Sequence, residues 1–224
     1  MSCRRLVLGL FAALIVAAVA CTAWAPMALR AVVAALVIDE PIEHVDWVVP
    51  LGGDRACERA AETVHAHIAD RILLARNYPS RLVRYDILPS GEQLALDRIT
   101  AAGIPATEVD IALGEARTYN GSLRELARWL EQHPQTTVAI YCSRLEGRRL
   151  ALIRSRSMPP ALAERVSIVA LRDRDLDESC WWRNRGSSKR VLNAWIELSL
   201  EALFGEMPPE PDNWDPDQYE RGLH

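Results

Sequence analysis

Hydrophobic residues occur along this chain in two patterns, and each pattern predicts a different kind of secondary-structure element. Short runs of apolar and β-branched residues bounded by polar or turn-forming residues are typical of buried strands. Five such runs predict strands at residues 45–51, 71–75, 109–113, 136–142 and 166–171. Apolar residues spaced three or four positions apart predict helices between them, one beginning at Arg55 and others at 90–102, 120–132, 145–156 and 191–204. The polar stretch 77–89 predicts a loop.

Regular alternation of strands and helices predicts right-handed βαβ units. We therefore expect an α/β fold: a doubly wound, mainly parallel, five-stranded Rossmann-like sheet with helices on both faces, spanning residues 39–205. Residues 206–224 form an acidic, proline-rich tail. In such sheets ligands bind beyond the carboxyl ends of the strands, at the point where the strand order reverses.

The N-terminal residues 1–38 have a different pattern and predict a membrane anchor followed by a lead-in to the domain. Arg4 and Arg5 precede an uncharged apolar run at residues 6–25, and acidic residues follow from Asp39. About 20 apolar residues are enough to cross the ~30 Å hydrocarbon core of a bilayer. Basic residues before such a run predict a cytoplasmic N-terminus. We therefore expect a single-pass signal anchor in the plasma (inner) membrane, with the C-terminal domain in the periplasm.

Two alternatives to an uncleaved anchor remain open from the sequence. A cleavable signal peptide would end near Ala23-Trp-Ala25, which has the small-x-small pattern of a cleavage site. A lipoprotein would carry its lipid on Cys21, after Ala18-Val-Ala20. The apolar stretch 31–38 is too short for a second span and predicts a lead-in to the domain or an interfacial helix.

Charge and cysteine content exclude two classes of function. Without residues 1–38, 23 basic residues face 30 acidic ones, so the body carries a net charge of about −7 and does not predict a nucleic-acid binder. The five cysteines lack metal-ligand spacing, so we expect no metal site. A single bridge between Cys142 and Cys180 stays open.

The turn after the first strand is the strongest local signal of a ligand site. Asp46-Trp-Val-Val-Pro-Leu-Gly-Gly-Asp54 runs directly into a helix. Glycines allow backbone N–H groups to approach an anion, and the start of a helix adds partial positive charge. The segment lacks a third glycine, so it is not a dinucleotide fingerprint. A tight turn without a ligand is the alternative interpretation.

Other segments that follow strands bring polar residues to the same edge of the predicted sheet. Arginine forks and backbone amides at one edge favour binding of a phosphate or pyrophosphate. The candidate ligand-binding residues are Gly52, Gly53, Asp54, Arg59, Glu115, Thr118, Asn120, Ser143, Glu146, Arg148 and Arg149.

Several short motifs occur in an order that resembles a known family. They are a Gly-Gly turn with an arginine in the next helix, Ala102-Gly-Ile-Pro105, Ala116-Arg-Thr-Tyr-Asn120, Cys142-Ser-Arg-Leu-Glu-Gly-Arg-Arg149 and Trp181-Trp182. With this set, residues 45–204 resemble the SanA/YdcF/ElyC family of envelope proteins, and the N-terminal anchor is most similar to the SanA branch. Glu146 stands where the family pattern has a histidine, and Ala75-Arg-Asn-Tyr78 replaces a Ser-Gly-Gly strand end.

The resemblance implies an exported, membrane-anchored domain that contributes to envelope barrier function or to peptidoglycan and surface-polysaccharide synthesis. One hypothesis is a binding module for an anionic, phosphorylated envelope intermediate such as a lipid-carrier head group. A second is a hydrolase or transferase acting on that ligand, with Asp54, Glu115 or Glu146 as base. A third is a structural partner of cell-wall synthesis proteins. The replacement of histidine by Glu146 favours binding over catalysis.

Overall fold

The computed structural model describes residues 24–79 and 81–206 and contains one parallel sheet of five strands. The strands are β1 Val45–Pro50, β2 Ala69–Asn77, β3 Val109–Ala116, β4 Val138–Ser143 and β5 Val166–Leu171. Every neighbouring pair is parallel, and the order across the sheet is β3-β2-β1-β4-β5. The predicted α/β class and five-stranded sheet are confirmed.

Eight α-helices connect or flank the strands in the described part of the chain. They are α1 at residues 24–34, α2 Asp54–His65, α3 Arg81–Arg84, α4 Gly91–Ala101, α5 Tyr119–Gln132, α6 Gly147–Ser157, α7 Pro160–Ala163 and α8 Arg185–Phe204. None of the described helices is long and apolar enough to cross a membrane. The predicted anchor at residues 6–25 lies almost wholly outside the described residues, as does most of the tail 206–224.

The strand order reverses between β1 and β4, which places the switch point at the centre of the sheet. Val48 pairs with Ala139 and Pro50 with Tyr141 across this junction. From β1 the chain builds outward through β2 to β3, and it then crosses back to β4 and continues to β5. The turns after β1 and β4 are therefore neighbours at the carboxyl edge.

Side chains alternate between two cores because successive residues of a strand point to opposite faces. On β1, Val49 packs with the core beneath α5 and α6, whereas Val48 packs with the core beneath α2 and α4. On β4, Ile140 and Ala139 divide in the same way. Nearly all of these side chains are fully buried, and each fully buried Val or Ile contributes about 1.5–3 kcal/mol.

Three helices begin at side-chain caps that the sequence supplies. Ser90 accepts a hydrogen bond from the Gln93 amide at the start of α4. Thr118 accepts from the Gly121 amide at the start of α5. Asn184 caps α8, which therefore begins six residues before the predicted position 191.

The lead-in packs into the domain through a third hydrophobic cluster. Val33 and Leu36 are fully buried against Trp181 and Val191, so this segment is a core element of the structure. The Trp181 indole N–H donates to the Leu29 carbonyl at 2.8 Å. These contacts favour the lead-in interpretation of residues 31–38 over an interfacial helix.

The segment after the lead-in covers the open edge of β5. The Glu40 amide donates to the Ile168 carbonyl, and the Ile168 amide donates to the Glu40 carboxylate, both at 2.8 Å. Both Glu40 carboxylate oxygens also accept from Arg154 at 2.7 Å. An otherwise exposed strand edge is thus paired and charged, which protects it from pairing with another chain.

Candidate functional site

A cleft of about 550 Å³ opens at the carboxyl ends of β1, β2 and β3, between α2, α4 and α5. Its floor is apolar and its rim is basic. The lining residues are Pro50, Leu51, Gly53, Asp54, Cys57, Leu74, Ala75, Gly91, Leu94, Ala95, Arg98, Ala116, Arg117, Thr118, Tyr119, Ser122 and Arg149. Four of the predicted site residues are in this set, namely Gly53, Asp54, Thr118 and Arg149.

The Gly52-Gly53 turn has the local geometry that an anion site needs. Gly53 has φ 70° and ψ −152°, a region that essentially only glycine adopts. Nothing lies within 4 Å of the position its β-carbon would take, so the backbone there is open. No side chain caps α2 among the described residues. The Ala56 and Cys57 amides donate to the Gly53 carbonyl, which leaves the amides of Asp54 and Arg55 at the start of the helix for a ligand.

Three guanidinium groups reach the cleft from three different elements, α4, the β3–α5 connection and α6. Arg98 pairs with Asp54, the one acidic residue among the described residues that line the cleft. The Arg117 guanidinium lies 3.6 Å from the centre of the Tyr78 ring, which positions it by a cation–π contact. Arg149 lies 5.5 Å from the Tyr119 ring centre. The described residues that line the cleft thus include three arginines and one acidic residue, and Arg149 has further carboxylate partners behind the cleft wall.

Thr118 and Asn120 hold the start of α5 in different ways. The Thr118 hydroxyl caps the helix and donates to a Glu206 carboxylate oxygen at 3.0 Å, at the rim of the cleft. Arg124 also donates to Glu206, at 3.0 Å. Asn120 is buried and donates to the Glu201 carboxylate of α8 at 3.0 Å, so its side chain joins two helices instead of lining the cleft.

Glu146 lies behind the cleft wall, in a partly buried cluster with Arg149 and Tyr119. Burial is the main reason that the pKa of the Glu146 carboxyl is raised, and the Arg149 guanidinium 3.5 Å away only partly offsets it. Burial, with the nearby Glu146 carboxylate, raises the pKa of Tyr119 to about 12. Arg149 also pairs with Glu197. Tyr119 therefore stays a neutral hydroxyl at the cleft wall.

Ser143 and Gly52 meet at the switch point. A β-carbon on Gly52 would stand 3.1 Å from the Ser143 amide nitrogen and 3.1 Å from the Cys142 carbonyl carbon. The Ser143 hydroxyl donates to the Asp173 carboxylate at 3.3 Å. These two predicted site residues share the carboxyl edge, and their role there is to join the two central strands.

Arg59 and Arg148 point away from the cleft. Arg59 donates to Glu62 at 2.8 Å and lines a second, polar groove of about 420 Å³ on the opposite side of α2. The Arg148 side chain donates to the Ala35 carbonyl at 2.9 Å, just after the C-terminal end of α1. Glu115 belongs to β3, and its side chain is outside the described part of the structure.

Several cleft residues escaped the sequence reasoning. Arg98 is on α4, which is separated from β2 by a long connection. Arg98 therefore does not lie in a segment that directly follows a strand, which is where ligand-binding residues were expected. Its signal is helical phase, because Leu94, Ala95 and Arg98 share one face of α4. Cys57 also lines the cleft, but burial raises the pKa of its thiol, which disfavours a thiolate nucleophile.

Within residues 24–206 the structure brings together no group of three or more histidine, cysteine or acidic side chains that would hold a metal ion. Cys57, Cys142 and Cys180 are all free thiols, so the bridge between Cys142 and Cys180 does not form. Comparison with protein-family models gives no match, and neither does comparison with curated proteins.

Proposed function

We propose that this chain is a membrane-anchored extracytoplasmic protein of the cell envelope that binds an anionic, phosphorylated ligand in the cleft. It would contribute in this way to envelope barrier function or to the synthesis of peptidoglycan or surface polysaccharide. The observation that carries the proposal is the convergence of Arg98, Arg117 and Arg149 beside the open Gly53 turn. The membrane anchor rests on the charge and apolar pattern of residues 1–25.

The chemistry of the cleft suits a phosphate or pyrophosphate in two respects. Guanidinium groups donate paired hydrogen bonds to the oxygens of such an anion, and the uncapped start of α2 supplies backbone amides and partial positive charge. Asp54 neutralises one arginine in the structure. A ligand phosphate would compete with this carboxylate for Arg98 and with Glu146 and Glu197 for Arg149, and Arg117 would bind a further oxygen of the ligand.

Purification of the full-length chain from membranes, followed by native mass spectrometry, tests this function. A bound phosphorus-containing compound is expected on the wild-type chain. It should be absent from Arg98→Ala/Arg117→Ala, which loses two guanidinium groups of the cleft. Arg59→Ala is the matched control, because Arg59 lines the second groove. The proposal fails if the wild-type chain carries no more phosphorus than the double variant.

The alternative is a hydrolase or transferase acting on a phosphorylated lipid carrier. Asp54 favours it, because this carboxylate lies in the cleft beside Arg98 and could act as a base. Glu146 supports it less, since its carboxyl lies behind Arg149 instead of lining the cleft.

Farnesyl pyrophosphate is a suitable probe to separate the two functions. Binding without release of phosphate indicates a binding module. Phosphate release that is lost in Asp54→Asn, with binding retained, indicates the enzyme. Protein level and thermal midpoint of each variant show whether a loss comes from unfolding.

A further inference from the structure

Exposed apolar side chains concentrate on one side of the cleft. Six of the twelve large hydrophobic residues exposed in the described part of the chain fall within 17 sequence positions. We call these six the apolar loop surface, and they are Tyr78, Leu82, Tyr85, Ile87, Leu88 and Leu94. Tyr85 and Ile87 are 72% and 64% exposed. Such a concentration of apolar groups on a surface is typical of an interaction site.

The stretch that carries the apolar loop surface is basic in sequence, although the whole chain is acidic. Between positions 76 and 94 it has three arginines, Arg76, Arg81 and Arg84, against two acidic residues, Asp86 and Glu92. The net formal charge of the chain is −4, so this is a locally basic region on an acidic protein. Apolar side chains flanked by basic residues are typical of segments that bind the interface of an anionic bilayer.

We propose that the apolar loop surface is a membrane-docking surface whose partner is an anionic lipid bilayer. Its apolar side chains would enter the acyl boundary, and each fully buried one would contribute on the scale of burying a core residue. The flanking arginines would lie at the level of the lipid head groups. This surface is a second contact with the membrane, separate from the N-terminal run, and it does not depend on the ligand proposed for the cleft.

Charge complementarity favours a bilayer over the other occupants that an apolar surface could take. A second copy bound by the same surface would bring its arginines against those of the first, since such contacts are self-complementary. The apolar run of this chain lies within residues 1–38, which contain no acidic residue to pair with these arginines. An anionic lipid surface supplies both apolar area and negative charge.

Docking through this surface would also set the orientation of the cleft. Leu94 belongs to both the apolar loop surface and the cleft lining. Arg117, at the cleft rim, lies over the Tyr78 ring of the surface. The mouth of the cleft would therefore open at the head-group layer, where a lipid-borne phosphate could enter directly from the membrane.

The depth of a fluorescent probe in the bilayer, measured on the full-length chain, tests the proposal. The environment-sensitive fluorophore NBD would be attached at Ile87→Cys, with Cys3, Cys21 and Cys180 replaced by serine. A matched control would carry the label at Glu164→Cys, an exposed position just before β5 at the opposite edge of the sheet. Each chain would be reconstituted in vesicles of phosphatidylcholine alone or mixed with phosphatidylglycerol, with and without spin-labelled lipid as quencher.

We expect the label at position 87 to shift to the blue and to be quenched by the spin-labelled lipid in anionic vesicles. The effect should be smaller in neutral vesicles and absent at position 164. Leu82→Ser/Tyr85→Ser should reduce the quenching. Leu192→Ser/Ile196→Ser should not, although these two α8 residues are 58% and 56% exposed.

Three results would overturn the proposal. One is a label at position 87 that stays in water while the chain is bound to vesicles. Another is a blue shift that appears with protein concentration in the absence of lipid, which would indicate a second copy. The third is a blue shift without quenching, which would indicate coverage by the chain itself. None of these results alters pyrophosphate binding in the cleft, so the two proposals fail separately.

Discussion

Gly52 lies against Ser143 at the centre of the sheet, and a β-carbon on Gly52 would stand 3.1 Å from the Ser143 amide nitrogen. This contact joins the turn after β1 to the end of β4, where the order of the strands reverses. The close approach of these two backbone segments positions Gly53 and the start of α2, which form one side of the cleft.

Gly52→Ala should destabilise the protein because the added methyl group meets the backbone of β4 at Cys142 and Ser143, which has little freedom to move in the centre of the sheet. We expect a loss of about 1–3 kcal/mol, the cost of overpacking a core. Urea unfolding measures it. Ser143→Ala removes only a hydroxyl from the other side of the contact and should cost less; equal stability of Gly52→Ala and wild type would refute the close approach.

Much of the sheet could be predicted because its strands are buried and their apolar runs are short and bounded. The start of α8 could not, since residues 185–190 are almost entirely polar and only the Asn184 cap marks the helix. The packing of the lead-in against the domain could not be predicted either. The sequence of residues 31–38 is apolar like the run before it, and the α8 surface that buries this segment forms only when the chain folds.

The lead-in should contribute strongly to stability. Leu36→Ala removes a fully buried side chain from the cluster around Trp181, and we expect a loss of about 2–5 kcal/mol. Thermal unfolding of the full-length chain measures this loss. Leu192→Ala is the matched control because Leu192 is 58% exposed. If the two variants unfold at the same temperature, the lead-in is not part of the core.

The charged contact at the edge of β5 should make stability sensitive to acid. Burial alone would raise the pKa of Glu40, but hydrogen bonds from Arg154 and the Ile168 amide outweigh it, so the pKa is lowered from 4.5. A lowered folded-state pKa gives stability that is present above the unfolded value and lost as pH falls through the folded value. Glu40→Gln should cost about 1.5–3 kcal/mol near neutral pH and progressively less below about pH 4.

Denaturant unfolding at a series of pH values measures this difference. Glu164→Gln, at an exposed position just before β5, serves as the control for removal of one acidic charge. A constant difference between Glu40→Gln and wild type at every pH would contradict the assignment.

Glu146 should give the opposite dependence on pH. Burial raises the pKa of its carboxyl above 4.5, so the folded state holds a proton that the unfolded state has released. Stability from this group is therefore present at low pH and falls as pH rises from the unfolded value through the folded value. Glu146→Gln keeps the shape without the ionisation, so its stability should fall less than that of wild type as pH rises above the pKa of an unfolded glutamate. An unchanged pH slope would show that Glu146 is not perturbed by burial.

Only those parts of the candidate site could be predicted that are set by the conformation of a short stretch of backbone. The Gly53 turn is such a feature, because the sequence itself carries the glycines. The arginines depend on helical phase, since two residues turn about 200° around a helix. Cys57 therefore faces the cleft while Arg59 faces the second groove. Arg98 became a neighbour of the Gly53 turn only through the packing of α4 beside α2.

Calorimetric titration of the full-length chain with inorganic pyrophosphate, at fixed moderate salt, shows whether the cleft binds an anion. We expect saturable binding by wild type and by Arg59→Ala, with affinities that agree within about twofold. For Arg98→Ala/Arg117→Ala we expect the affinity to fall at least about tenfold, the equivalent of one charged hydrogen bond. Absence of saturable binding to wild type, or an Arg59→Ala loss as large as that of the double variant, would contradict an anion site in this cleft.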